Sequence, residues 1–124
     1  MVKMKKFITH LNEVLPYSPS GHSQTTNYRL LGPGTSGSGR FEVVLGQIES
    51  GGQAEPHAHK GIEQAIFVLE GKAVVEIEGK SEIVGPSDLI YFPQGVRHQI
   101  TALEGRSLRL LIVYAPPLTS FKNS

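Results

Sequence analysis

Residues 51–71 read GGQAEPHAHKGIEQAIFVLEG, and residues 87–102 read SDLIYFPQGVRHQITA. Together the two stretches hold three histidines, namely His57, His59 and His98, and they also hold Gln64. On a β-strand, side chains at i and i+2 point to the same face, so His57 and His59 would lie roughly 6.6 Å apart along it. His98 comes from a separate stretch, so a fold must bring it to the other two. A hydrophobic core alone gives no reason to cluster imidazoles.

Short apolar runs separated by turn residues fill the chain from Arg40 onward. Glycine and proline clusters, such as those at 51–52, 85–86 and 93–95, punctuate the runs. Strand-length runs at this spacing are typical of an all-β sandwich or barrel, and we predict that fold class. The predicted strands cover residues 41–48, 64–69, 73–77, 88–92, 98–103 and 107–114.

The run 64–69 alternates in a way that assigns its two faces. Gln64 shares one face with Ile66 and Val68, while Ala65, Phe67 and Leu69 occupy the other. Both faces are largely apolar, so we expect this strand to be covered on both sides. One face can line the interior of a barrel, and the other needs a second sheet, the N-terminal segment or a partner subunit.

The composition limits the classes of protein that the chain can belong to. Its 124 residues suggest one domain, long enough to bury a core without cross-links. The chain has no cysteine, which excludes disulfides, thiolate metal ligands and cysteine nucleophiles. With 12 basic and 11 acidic residues the net charge is +1, which argues against nucleic acid or a membrane surface as a partner.

The predicted organisation has three parts. Residues 1–40 form an N-terminal extension that packs on the barrel or on a partner subunit, residues 41–117 form the barrel, and residues 118–124 form a tail. The glycine-rich segment 32–39 is short enough to be a hairpin connection. No apolar signal segment follows the basic residues 1–6, and no run approaches the length of a membrane span, so we expect a cytoplasmic protein.

The two quoted stretches resemble the motifs of the cupin family, in particular small single-domain cupins with an RmlC-like jelly-roll barrel. The first family motif reads Gly, five residues, His-x-His, three or four residues, Glu, six residues, Gly. Residues 51–71 follow it, with Gln64 in place of the glutamate. The second reads Gly, five residues, Pro-x-Gly, two residues, His, three residues, Asn. Residues 87–102 follow it, with Ser87 and Ala102 as departures. The resemblance covers roughly residues 41–116.

The resemblance implies a metal site made by His57, His59, Gln64 and His98, and a homodimer. Glu63 is an alternative to Gln64, but it breaks the six-residue spacing to Gly71 and places the opposite face inward. A neutral glutamine leaves the ion more strongly Lewis acidic than a glutamate would. Imidazole and oxygen donors suit Mn, Fe, Co, Ni, Cu or Zn and do not choose among them.

Proton-transfer groups are less well defined by the sequence. Tyr91, Arg97, Glu55 and Tyr114 lie near the motifs. Arg97 could bind a substrate carboxylate in a bidentate manner, although a solvated arginine is the simpler interpretation. Arg97 and Tyr91 are the two weak catalytic candidates, and we assign Tyr91 no specific role. We treat His10 and His22 as surface residues, and Glu42, Glu49 and Glu55 as solvated.

Three functions are compatible with these residues. The resemblance favours a metalloenzyme of the dioxygenase, isomerase, decarboxylase or lyase type, acting on a small polar or anionic metabolite. Glutamine at position 64 slightly favours Lewis-acid chemistry on sugars or keto acids over oxygen activation. The alternative is a non-catalytic module that binds a small molecule, and a storage or structural role is the weakest candidate.

Overall fold

The structure is a computed structural model that describes residues 7–35, 37–54, 59–103 and 105–118. These residues form one curled antiparallel sheet, as the sequence predicts. After a 3-10 turn at Leu11–Glu13, the strands are β1 (His22–Leu31), β2 (Glu42–Ala54), β3 (Glu63–Glu70), β4 (Ala73–Ile77), β5 (Lys80–Val84), β6 (Leu89–Phe92), β7 (His98–Ala102) and β8 (Leu108–Ala115).

Strand β2 lies at the centre of the sheet and connects its two halves. The strand order is β5-β4-β7-β2-β8-β3-β6, and β1 pairs with β2 as well. The first half of β2 pairs with β8, whereas Gln53 near its far end pairs with Thr101 of β7. The sheet therefore curls around an interior that receives side chains from β1, β2, β3, β7 and β8.

Alternating apolar residues fill this interior. In β8 every second side chain is buried, beginning at Leu108, and in β3 the buried residues are Gln64, Ile66 and Val68. The predicted inward face of β3 is therefore confirmed. The described residues leave the opposite face partly uncovered, because Phe67 and Leu69 remain 39% and 38% exposed.

The glycine that ends the first motif is fixed by a close backbone approach. Gly71 has φ +85°, and a β-carbon there would lie 2.4 Å from the carbonyl oxygen of Ser107. No other residue fits this position without moving the start of β8. The motif glycine therefore serves the fold and not the chemistry.

Two strands were not predicted from the sequence. Strand β1 lies within the residues 1–40 that we assigned to an extension, and it pairs with β2 along most of its length. The glycine-rich segment joins β1 to β2, so its prediction as a hairpin connection is confirmed. Strand β5 is a polar edge strand whose side chains at 80–83 are all exposed, so it carries no apolar alternation.

In the part of the chain that the structure describes, no helix has the length and apolar character needed to cross a membrane.

Candidate metal centre

A cavity of about 40 Å³ lies inside the curled sheet. One side of it is apolar, formed chiefly by Ile48, Ile66, Ile100, Leu110 and Ile112. Polar side chains converge on the rest of the wall, and these are His22, Thr25, Asn27, Gln64, His98 and Tyr114. Polar groups collected in an apolar interior are typical of a ligand site.

Gln64 presents a hydrogen-bond acceptor to this cavity. Its side chain is 6% exposed, and its Oε1 is buried with no hydrogen-bond partner among the described residues. A buried acceptor without a hydrogen bond reduces the stability of a protein by about 1–3 kcal/mol, and a ligand bound to the Gln64 oxygen would offset this loss. Glu63 lies on the outer face, where its carboxylate accepts a hydrogen bond from the Tyr91 hydroxyl. The strand therefore turns Gln64, and not Glu63, towards the interior.

His98 begins β7 and is held in one orientation. Its Nδ1 lies 3.0 Å from the carbonyl oxygen of Val96, which can only accept, so Nδ1 carries the proton. In this tautomer the lone pair lies on Nε2, which is the form in which a neutral histidine binds a metal. Phe92 stacks on the imidazole with ring centroids 3.9 Å apart.

His59 lies in the loop before β3 and not in a strand, so the predicted strand geometry for the histidine pair is wrong at this residue. The turn of the second motif holds it instead, because the Gly95 amide donates to the His59 carbonyl at 3.0 Å. The His59 ring lies 5.8 Å from that of His98 and 6.0 Å from that of Tyr114, measured between centroids. The predicted ligand His57 lies outside the described residues, as does Glu55.

The side chains in and near the cavity include donor types that metal ions bind. Among the residues that the structure describes, no three His, Cys, Asp or Glu side chains are grouped as a metal site would require. The candidate metal ligands among the described residues are the imidazoles of His59 and His98 and the buried carboxamide oxygen of Gln64. Nitrogen and neutral oxygen donors of this kind suit a divalent transition metal.

The two weaker candidates lie away from the cavity. Arg97 is exposed and lines an outer groove together with Glu76 and Glu78. Tyr91 is 54% exposed on the outer face of β6, and the hydrogen bond to Glu63 raises its pKa. Neither side chain lines the cavity. A catalytic role for Arg97 or Tyr91 therefore stays a prediction.

Strand β1 brings residues to the cavity that the sequence analysis missed. His22 was expected on the surface, but it is half-buried and lines the cavity with Thr25 and Asn27. The alternation of Thr25 and Asn27 was visible in the sequence, yet polar residues on the inner face hide the usual apolar signal. Strand β1 was not predicted because the residues that it contributes to the cavity wall are polar.

Glu42 was expected to be solvated, and this is wrong. Its side chain is 1% exposed and accepts a hydrogen bond from Arg29 Nε, while the Arg29 guanidinium stacks over the Tyr17 ring at 4.7 Å.

Burial raises the pKa of Tyr114 and that of Tyr17, and nearby Arg29 opposes the rise in both. Both phenols therefore stay neutral near pH 7 and can donate hydrogen bonds.

This fold and this interior site define a small jelly-roll barrel with a candidate metal centre. The Cupin_2 family model, a cupin domain, matches residues 44–114. The chain therefore belongs to the cupin family.

Several proteins are similar to the chain. A germin-like protein, subfamily T member 3, of Arabidopsis thaliana is 32% identical over 92% of this chain and 52% of its own length. The chain thus spans about half the length of that relative. The structure of the polyketide cyclase RemF from Streptomyces resistomycificus is 28% identical with a TM-score of 0.78, covering 93% of this chain and 80% of that one. A predicted oxalate decarboxylase from Thermotoga maritima shares the fold at 19% identity and a TM-score of 0.79, covering 89% and 99%.

Proposed function

We propose that this protein is a metal-dependent cupin that acts on a small polar or anionic metabolite. His57, His59, Gln64 and His98 would hold one divalent transition-metal ion. The observation that carries the proposal is the buried Oε1 of Gln64, which lacks a hydrogen-bond partner among the described residues and shares a cavity with His98. An acceptor in that position is satisfied when it binds a metal ion.

The charge of the ligand set favours an anionic substrate. Three imidazoles and one carboxamide are neutral, so a divalent ion would keep its full charge and supply Lewis acidity to a bound oxygen. The apolar wall formed by Ile66, Ile100 and Ile112 limits water around the reacting group. Tyr114, kept neutral by burial, offers a phenolic proton beside His59.

The class of reaction is also part of the proposal. We infer a dioxygenase, isomerase, decarboxylase or lyase, and the similarity to a polyketide cyclase and to a predicted oxalate decarboxylase supports an enzyme. The alternative is a binding module in which the cavity retains a small molecule without turnover.

Metal content tests the proposal directly. Protein purified without a metal-coordinating tag is reconstituted separately with Mn, Fe, Ni and Zn, dialysed, and measured by elemental analysis. We expect one ion per chain in the wild type, almost none in His59→Ala, and no change in His10→Ala. Wild-type protein that retains no metal would contradict the site. Metal-dependent turnover of a carboxylate or sugar substrate then separates the enzyme from the binding module.

We also propose a homodimer in which each chain covers the outer face of the other. Cross-strand partners align apolar residues along the outer face of five strands, although Leu45 among them is only 5% exposed within one chain. This outer patch consists of the register-matched residues Tyr28, Leu45, Leu111, Phe67 and Leu89, and the adjacent Leu31, Val43, Val113, Ala65 and Tyr91. Phe67, Leu89 and Tyr91 are 39%, 66% and 54% exposed in one chain, and a contiguous apolar surface of this kind favours association.

A further inference from the structure

Asn27 is a buried polar residue that the proposed metal chemistry does not use. It lies on the inner face of β1 with 5% of its surface exposed, and it lines the same cavity as Gln64 and His98. Its Oδ1 is buried and has no hydrogen-bond partner in the described ranges of the chain. The cavity therefore holds a second acceptor that lacks a partner among the described residues, on β1, whereas Gln64 lies on β3.

The other end of the Asn27 amide is already engaged. Burial raises the pKa of the Tyr17 phenol, and the Asn27 amide partly opposes that rise, which indicates that the amide nitrogen lies towards the phenol oxygen. The backbones of the two residues also pair, with N–O distances of 2.9 and 2.7 Å. Tyr17 in turn lies under the guanidinium of Arg29, which is paired with buried Glu42. With its nitrogen towards Tyr17, the Asn27 amide directs its oxygen away from that residue.

Gly46 keeps the space in front of this oxygen open. A β-carbon at position 46 would lie 3.3 Å from Asn27 Oδ1 and 3.1 Å from Ile112 Cδ1. Both contacts are tighter than ordinary packing, so any side chain would crowd the approach to the oxygen. Asn27 and Gly46 together form an open acceptor position on the cavity wall.

We propose that Asn27 Oδ1 accepts a hydrogen bond from a hydroxyl group of the bound molecule. The substrate class is then a small hydroxylated carboxylic acid, with its acid oxygen at the metal and a hydroxyl at Asn27. The contact between the acid oxygen and the metal rests on the proposed function. The hydrogen bond between the hydroxyl and Asn27 rests on the geometry of β1 and β2. A polar site built for a hydroxyl discriminates strongly against the analogue that lacks it, because the acceptor is then buried unpaired. Asn27 is thus a specificity-determining residue.

Four three-carbon acids test the proposal by calorimetry: propionate, lactate, 3-hydroxypropionate and glycerate. The protein carries cobalt(II), whose visible spectrum reports separately whether an acid reaches the metal. We expect the wild type to bind at least one hydroxylated acid about tenfold or more tightly than propionate, which corresponds to about 1.4 kcal/mol. In Asn27→Leu that preference should fall to within about twofold. Any preference that comes from chelation of the metal by the 2-hydroxyl is the same in both proteins and cancels.

Gly46→Ala provides a second variant in which Asn27 is retained and only its approach is blocked. It should lose the preference as well, while Thr26→Val, on the outer face of β1, should keep it. A wild type that does not discriminate, or a preference that survives in both Asn27→Leu and Gly46→Ala, would overturn the proposal. If cobalt does not bind, the proposed function fails, and the same affinity ratio measured on the metal-free protein then decides the role of Asn27 alone.

Discussion

Phe92 and His98 stack almost in parallel, with ring planes 9° apart and centroids separated by 3.9 Å. Phe92 is also the cross-strand partner of Gln64, so one side chain supports two of the proposed metal ligands. Because Phe92 is 1% exposed, its own position is fixed by the core. The hydrophobic core thus determines the orientation of the site, which links packing to metal affinity.

Replacing Phe92 should weaken metal binding without removing a ligand. In Phe92→Leu the imidazole of His98 loses its stacked support, and we expect the metal dissociation constant to rise about tenfold, at the lower end of the effect of residues that orient ligands. Competition with a chromophoric chelator, below the unfolding temperature, measures the change. Phe41→Leu, at a 40% exposed position, is the control and should not alter the affinity. Equal affinities in all three proteins would show that the stack does not position His98.

Gln64→Glu should tighten the binding of divalent ions and destabilise the metal-free protein. The substitution places a carboxylate where the glutamine is 6% exposed, and an isolated buried charge is costly until a cation pairs with it. We expect metal affinity to increase at least tenfold, and the melting temperature to drop without metal but not with it. Calorimetric titration and thermal unfolding measure the two effects. Glu63→Gln on the outer face should change neither strongly, and unchanged or weaker affinity in Gln64→Glu would place residue 64 outside the coordination sphere.

Ser87→Gly should stabilise the protein. Ser87 occupies the first glycine position of the second motif and adopts φ 74°, a left-handed conformation that costs an L-residue about 1–2 kcal/mol. Glycine removes this strain but adds about 0.5–1 kcal/mol of unfolded-state entropy, so we expect a net gain of about 0.5–1 kcal/mol in chemical denaturation. Ser81→Gly in strand β5 has no strain to relieve and should be destabilising. A loss of stability in Ser87→Gly would show that its side chain contributes more than the strain costs.

Phe67→Glu should convert the proposed dimer to a monomer. Phe67 lies in the middle of the outer patch, where a buried charge would face apolar residues of the second copy. Sedimentation velocity at micromolar concentration should give a dimer for the wild type and a monomer for this variant. Ile83→Glu, 62% exposed on the other edge of the sheet, should remain a dimer. A wild type that sediments as a monomer would contradict the proposal.

The sequence predicted the parts of the fold that bury apolar side chains with a regular period. Strand β3 is the clearest case, because its alternation assigned Gln64 to the interior and Glu63 to the exterior, as the structure shows. These features depend on local pattern and are readable from one chain.

Features that depend on pairing between distant polar residues could not be predicted in this way. Glu42 is buried because Arg29 neutralises it from a neighbouring strand, and neither residue signals the other in sequence. His22 and Asn27 reach the cavity only because β1 adds to β2, and polar inward residues resemble those of a surface segment. Pairing across strands, and not composition, decides the environment of these side chains.

Anomalous diffraction from crystals of the cobalt-loaded protein tests the central claim most directly. The account predicts one anomalous peak per chain inside the curled sheet, within bonding distance of His98 Nε2 and Gln64 Oε1, with the imidazoles of His57 and His59 completing the protein ligands. A peak at another position, or a Gln64 side chain directed away from the ion, would contradict it.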